Sequence, residues 1–544
     1  MTKSLIAVLA LIPAFAYASL DGLWAARRDF GPDVRGTLRV TGDRARIAGR
    51  SAAVTTDGDR VAFDLPNAEG AFRGTIRESR IVGHWIQPPT VWGGREYATP
   101  VTLAKRAGGW VGEVRPLDDH MTLFLPISGN TAYLRNPERN IGRFIAVQHI
   151  AVDGSHVKLL GKDDAVIAEG TVADDVMSIA FASAGGTFDF HRATAADEAV
   201  FYPRGEEYRK PAQLDDGWPV ATLDDVGISR EAIAKFIDKL NAVPMDSVHA
   251  SWVDAVLIAR HGKLVLEEYF HGDNPDEPHD TRSAAKSLTD ILIGAAKLPE
   301  TTPVYATMNV PTDDPRKRAM TVANLLAQNS GLDCDDDDDK SPGNENVMEE
   351  QTAQPDWYAY TLALKNIRPP GEKSVYCSCQ PNLAGGVLQR KVGRPLPDLF
   401  RDLIADPMQM GKYGMFLSPT REPFMGGGIR LTSRDFLKIA QMMMNGGRWN
   451  GKQIVSAEWA KKSTSPLTTI QNNRKYGYLW YVFEYPYKGR IIQTFCAAGN
   501  GGQIAMGIPE LDMVIAFNGG NYSDSAAAIP ARDYVPQDIL PAVK

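Results

Sequence analysis

Ser283-Ala-Ala-Lys286-Ser-Leu-Thr-Asp-Ile-Leu-Ile-Gly-Ala-Ala-Lys-Leu298 is the stretch on which the reading of this chain turns. Apolar residues at helical spacing predict a helix over 283–298, and residues three apart share a helix face, so Ser283 and Lys286 meet on its first turn. A lysine amine beside a serine hydroxyl is one form of the nucleophile and base pair. Taken alone, the same spacing is what any exposed helix carrying a serine and a lysine would show.

The neighbouring sequence decides between these readings. All nine histidines precede Ser283, so the Ser, Asp, His order of an α/β-hydrolase cannot begin there. The chain also lacks Gly-x-Ser-x-Gly and His-Glu-x-x-His. A histidine-first order would require His249, His261, His271 or His279, none of which has a local signature. Lys286 therefore reads as the base. A second element is Tyr376-Cys377-Ser378, preceded by Pro369-Pro370-Gly371-Glu372 and followed by a helix start at Pro381-Asn382. A tyrosine on such a loop can pass a proton between the serine oxygen and a leaving group if a nearby lysine lowers its pKa. Otherwise Tyr376 is a packed aromatic with a wet hydroxyl. The third element, Ala498-Gly499-Asn500-Gly501-Gly502-Gln503, lies between two strand-like runs. Its glycines let a substrate approach the backbone, and an N–H there can pair with that of Ser283 as an oxyanion hole; the Asn-Gly pair equally suits a plain hairpin turn.

In this order and spacing the three elements resemble the penicillin-recognising serine hydrolases, which include class C β-lactamases, D-alanyl carboxypeptidases, related esterases and 6-aminohexanoate-dimer hydrolases. The resemblance runs from about Asp224 to the C-terminus. It is reinforced by Arg260-His261-Gly262-Lys263, Asn329-Ser330-Gly331-Leu332, Gly426-Gly427-Gly428 and Pro509-Glu510-Leu511-Asp512. It implies Ser283 as the acylated nucleophile, Lys286 as its base and Tyr376 as proton relay and general acid. It also implies that Ser378 holds Lys286 and a substrate amide. The N–H groups of Ser283 and Asn500 would form the oxyanion hole, with Gly499 and Gly501 in the substrate-binding set. Where the family carries Lys-Thr-Gly or His-Thr-Gly to grip a carboxylate, this chain has Ala497-Ala498-Gly499. A charge-assisted bond of that kind is among the stronger ones. Its loss points to an ester or amide with an uncharged acyl donor ahead of a β-lactam or a D-alanyl peptide, unless Arg490 reaches in. A penicillin-binding-like sensor without catalysis is the reading from another functional class. Tyr476, Tyr478 and Trp480 line an apolar acyl pocket or belong to the sheet core.

Working outward, the chain reads as multidomain, with an N-terminal all-β, barrel-like domain followed by an α+β serine β-lactamase-like domain. Residues 19–204 show short alternating runs between Gly, Asp and Asn turns, an antiparallel barrel or two related β units opened by Gly22-Leu-Trp24 and Gly109-Trp110. Residues 205–222 are polar, proline-containing and aperiodic, as a linker is. From 223 to 544 follow a helix over 228–240, a hairpin over 253–270 turning at His261-Gly262, the 283–298 helix and a helical stretch. Strands return at 478–483, 489–495, 503–508 and 512–517. This predicts an antiparallel sheet closed by distant segments beside a helical lobe, with the site between them.

Residues 1–18 have the charged start, apolar run and Ala16-Tyr17-Ala18 ending of a signal peptide, which predicts a periplasmic or secreted protein with no membrane span after cleavage. The 544 residues are 44% hydrophobic and 23% charged with net charge -7, giving no basic face for nucleic acid. The partner expected is a small-molecule ester or amide. No cofactor or metal is implied, and nothing here speaks to oligomeric state. Of the cysteines Cys334, Cys377, Cys379 and Cys496, a bridge from Cys334 to Cys377 or Cys379 is expected, against free buried thiols. The acidic run 333–339 lacks spaced calcium ligands and reads as a solvated loop.

Overall fold

The computed structural model describes residues 20–90, 94–136, 147–173, 175–181, 186–247, 249–350 and 355–544. The signal peptide expected over 1–18 lies outside the described residues.

The N-terminal region forms two nearly closed antiparallel barrels. In one, the strands from Gly36–Thr41 to Gly109–Val114 pair in sequence order, and the last returns to the first through Trp110 opposite Val40 and Val114 opposite Gly36. Between Arg50–Ala53 and Thr55–Asp57 the ladder is interrupted, and the Val54 N–H donates instead to the Asp43 carbonyl. Strict alternation along Gly36–Thr41 sends Leu38 and Val40 inward to Phe72, Trp85 and Leu103, and the polar neighbours outward.

The other barrel is a meander from Asp119–Ser128 to Gly186–Arg192, with Gly22–Gly31 inserted between those two strands. Its interior holds Trp24, Met121, Leu123, Leu159 and Phe188. The chain thus lays down one strand of this barrel, builds the whole of the other, and then returns to finish it. Of the two tryptophans that suggested a repeat, Trp24 is a core residue of the one barrel and Trp110 sits on the closing strand of the other.

The C-terminal domain is built on an antiparallel sheet ordered Lys263–Tyr269, Val253–Arg260, Met513–Gly519, Gln503–Ile508, Arg490–Gly499, Tyr481–Tyr487, Arg474–Tyr476 and Thr468–Ile470. Residues His261 and Gly262, at φ 53° and 70°, make the tight hairpin turn whose twist suits the paired strands. Val253–Arg260 is then sealed by Met513–Gly519 from the far end of the sequence. Helix Arg230–Asn241 and the C-terminal segment Pro530–Ile539 cover one face, through Phe236, Phe517, Tyr534 and Val535. The other face carries the helical lobe, including Ala285–Ala295, Cys379–Val392 and Ser433–Met444.

Two features depart from the domain picture drawn from sequence. Residues 205–222 form no helix or strand long enough to separate two bodies. They lie on the C-terminal domain instead: Trp218 is fully buried against Trp449, its indole donates to the Arg434 carbonyl, and Val220 bridges Leu264. The second departure is a pair of short strands inside the helical stretch, Tyr413–Phe416 and Ile429–Leu431. The first pairs with Tyr97–Arg106 of the barrel, and the second pairs with His279–Asp280. The barrel sheet therefore runs on, strand by strand, to the residues that lead into Ser283.

Candidate active site

Ser283 sits on the 3-10 turn Arg282–Ala284, immediately before helix Ala285–Ala295. Arg282 holds a left-handed φ of 49°, a conformation a long side chain adopts only when its surroundings fix it. Asp280 does so by accepting the Arg282 N–H at 3.0 Å and forming an ion pair with its guanidinium at 3.1 Å, while the guanidinium lies 4.9 Å over the Tyr522 ring. The turn leads into regular helix and places Lys286 one turn on. Its Nζ is 2.9 Å from Ser283 Oγ and donates at 2.5 Å to the Gly426 carbonyl. Lys286 is buried, whereas Ser283 opens onto the cleft.

Tyr376 is held from both sides of its backbone. Its N–H donates to Gln471 Oε1 at 2.8 Å, and its carbonyl accepts the Asp336 N–H at 3.0 Å. The phenol hydrogen-bonds Ser283, and the Lys286 Nζ stands 4.8 Å over the ring. Burial pushes the phenol above its usual value, the hydrogen bond to Ser283 opposing it. This differs from the idea of a tyrosine activated by a lysine at its oxygen: the Lys286 Nζ faces the ring, and burial favours the neutral phenol. Ser378 is also placed differently from the expectation that it holds Lys286. Its N–H and its hydroxyl both donate to Asp336 Oδ2 at 2.7 Å.

The strand Arg490–Gly499 supplies the opposite wall. A Cβ on Gly499 would stand 2.3 Å from the Thr281 carbonyl and 3.0 Å from the Ala284 nitrogen, so only glycine lets this strand reach the serine turn. Asn500 is fixed by its side chain, which accepts the Ser523 N–H at 2.5 Å and donates to Ser523 Oγ at 3.1 Å. Gly499 and Asn500 line the cleft with Ser283. Gly501 does not: at φ 97° it faces the Tyr522 ring and bridges Asn521, a structural place rather than a substrate contact. The cleft encloses about 590 Å³. Tyr481 and Phe483, stacked at 6.0 Å with rings 1° from parallel, form one side of it, and Ala527, Ala528 and Ala531 form the other.

Other expected contributors fall elsewhere. Tyr476, Tyr478 and Trp480 are buried in the core and leave the cleft to Tyr481 and Phe483. Arg490 pairs with Glu510 at 3.1 Å at the far end of the strand from Gly499, so it brings no cation to the site, and Ala497 is fully buried. Cys334 is bridged to Cys377, with Cys379 and Cys496 left as buried thiols. The acidic run divides. Asp337, Asp338 and Asp339 are exposed as expected, but Asp336 turns in to Ser378. Missed from sequence were Asp336, Glu345, Tyr481 and Phe483. The period-two aromatic alternation Tyr481, Phe483, Tyr485 was the one signal that pointed at any of them. No histidine among the described residues hydrogen-bonds Ser283.

The sequence model of the Beta-lactamase family matches residues 253–532. A curated relative, the 6-aminohexanoate-dimer hydrolase of Paenarthrobacter ureafaciens, is 24% identical over 229 residues, 38% of this chain and 56% of that protein. The chain thus matches little more than half of that relative's length. Among solved structures, a putative 6-aminohexanoate-dimer hydrolase from Bacillus anthracis superposes with a TM-score of 0.45 at 18% identity, over 62% of this chain and 90% of that one. A family VIII carboxylesterase does so with a TM-score of 0.44 at 15% identity, over 60% and 98%. With more than half of its length matched by the family model, and with the serine turn, the lysine and the glycine strand in place, this chain belongs to the beta-lactamase family.

Proposed function

We propose that the protein is an exported serine hydrolase that cleaves a small ester or amide through an acyl-enzyme on Ser283. The observation that carries this reading is the 2.9 Å approach of Lys286 Nζ to Ser283 Oγ, in a cleft open to a substrate. Lys286, as the free amine, takes the hydroxyl proton while Ser283 Oγ attacks the carbonyl carbon. In this reading the N–H groups of Ser283 and Asn500 meet the resulting oxyanion, a role supported by the close approach of Gly499 to the serine turn. Tyr376, a neutral phenol bonded to Ser283, hands a proton to the departing oxygen or nitrogen. Water then attacks the acyl-enzyme by the same groups in reverse.

The cleft walls favour an uncharged, apolar acyl group. Its charged side chains are each paired, Arg474 with Asp337 at 3.6 Å, Glu484 with Lys475 at 2.6 Å and Arg532 with Asp533 at 2.7 Å, and Ala497 offers no cation to a carboxylate. A β-lactam or D-alanyl substrate therefore ranks behind an ester or amide. The decisive comparison is wild type against Ser283→Ala on p-nitrophenyl esters, with mass spectrometry of the protein after a fluorophosphonate probe. A single adduct on Ser283 in wild type and loss of turnover in the variant are expected. Equal turnover in both, or no adduct, would overturn the reading and leave a binding protein that uses the same cleft. A screen of short amides, including the dimer named for the curated relative, D-peptides and a chromogenic cephalosporin would then set the substrate class.

A further inference from the structure

Lys286 becomes an ammonium each time it takes the serine proton, in a site where it is only 1% exposed. Its hydrogen bonds go to a hydroxyl and a carbonyl, neither of which carries charge. An ammonium so enclosed is costly unless a counter-charge faces it. Two carboxylates act on it from beyond direct ion-pair contact. Asp336 comes from the acidic loop and Glu345 opens helix Glu345–Glu350, and each interacts electrostatically with Lys286. They are tied together and to the site: Asp336 Oδ1 accepts the Glu345 N–H at 2.9 Å, Asp336 Oδ2 accepts both donors of Ser378, and the Ser378 hydroxyl also reaches the Glu345 carboxylate. Glu345 Oε1 would stand 3.6 Å from a Cβ on Gly427, next to the Gly426 carbonyl that receives Lys286.

Other charged or titratable groups surround this pair. On the turn of Lys286, Arg282 also acts on Glu345, while its own ion pair is with Asp280. Behind Glu345, Glu349 is met by Arg95 of the barrel at 3.8 Å. Tyr376, Tyr481 and the Cys379 thiol are all pushed by burial toward their protonated, neutral forms.

We propose that Asp336 and Glu345 are positioning residues that supply the counter-charge for the Lys286 ammonium, with Ser378 as the clasp that holds them against the site. This rests on the reading of Lys286 as base to Ser283. Burial and the neighbouring Glu345 push the Asp336 carboxyl up to about 6, with Lys286 pulling it down. The sign follows: above that value the counter-charge is present, and on acidification through it Asp336 gains a proton and the charge is lost.

The test is the pH profile of kcat and KM for a p-nitrophenyl ester with the full chain, in wild type, Asp336→Asn and Glu345→Gln. Fluorophosphonate labelling of Ser283 and a thermal melt accompany each. Wild type should lose kcat as the pH falls through about 6. Asp336→Asn should lower kcat at pH 8 by about 10- to 100-fold with KM little changed, and should lack the acid limb. Glu345→Gln should lower kcat and move that limb to lower pH, because the charge that raises Asp336 is gone. Failure of wild type to label at Ser283 would sink the underlying reading. Labelled wild type, with both variants folded and keeping either the wild-type kcat or an unmoved acid limb, would overturn this proposal alone. Should Asp336→Asn not fold, the displacement of the limb in Glu345→Gln decides by itself.

Discussion

At Tyr376 the ring and the hydroxyl have separate tasks. The ring lies against the Lys286 Nζ at 4.8 Å, and the hydroxyl bonds Ser283. Tyr376→Phe keeps the first and removes the second. It should therefore leave the melting temperature within a few degrees of wild type and lower kcat by about 10²- to 10⁴-fold, the range for losing a placed general acid, with KM nearly unchanged. A kcat within threefold of wild type would remove Tyr376 from the proton path. The same residue shows what sequence conveys at this scale. Ser283 and Lys286 were legible because their proximity follows from helix geometry alone. The Tyr376 hydroxyl and Ser283 are brought together by tertiary structure, so the sequence could name the tyrosine but not its protonation. Asp336 was illegible for a related reason. Five acidic neighbours predict solvation, and it takes tertiary contacts, the two bonds from Ser378 and one from the Glu345 N–H beside the bridge from Cys334 to Cys377, to turn this carboxylate inward.

The nucleophile helix is anchored by a carboxyl group buried in the core. Asp290, on Ala285–Ala295, is fully buried; one oxygen accepts Ser463 Oγ at 2.9 Å and the other accepts the Trp480 indole at 3.0 Å. Burial pushes its carboxyl up to about 8, opposed by these hydrogen bonds. An unfolded aspartate ionises near about 3.9, so between that value and about 8 the folded protein holds a proton that the unfolded chain has released. Stability must then fall as the pH rises through this window. Asp290→Asn is neutral throughout, keeps an oxygen for Trp480 and offers an amide to Ser463 Oγ. Melting temperatures followed from about pH 5 to about pH 8 should decline for wild type and decline less for the variant; parallel curves would refute it. Elements such as this helix, or the hairpin at His261-Gly262, could be read because periodicity and turn chemistry are local. Tyr413–Phe416 and Ile429–Leu431 could not. At four and three residues they carry no period, and they are strands only because Tyr97–Arg106 and His279–Asp280 lie beside them.

Those two short strands bear on what the barrels do in the whole molecule. They make a continuous ladder from Tyr97–Arg106 through Tyr413–Phe416 and Ile429–Leu431 to His279–Asp280, which ends three residues before the nucleophile. Side chains reinforce it. Arg401, only 10% exposed, donates to the barrel carbonyls of Gly83 at 2.9 Å and Val101 at 3.1 Å and to Thr102 Oγ1 at 2.5 Å. Tyr413 meets His84 at 2.9 Å, and Arg77 pairs with Asp402 at 2.6 Å. A linker followed by a second, hydrolase domain was the sequence expectation, since polarity and proline content say nothing of what a segment lies upon. A chain begun at residue 206 would leave Arg401 without its acceptors and Tyr413–Phe416 as an open edge, which invites pairing with other chains. It should be recovered aggregated and unlabelled by a fluorophosphonate, where the full chain is soluble and labelled. Arg401→Met in the full chain isolates the junction from the rest. Loss of hydrogen bonds from a charged donor costs about 1.5–3 kcal/mol each, so this variant should melt several degrees below wild type while keeping its active-site groups. Soluble, Ser283-labelled protein from residue 206 onward would show that the barrels are passengers; its absence, together with a destabilised Arg401→Met, makes them part of the scaffold that holds the serine turn.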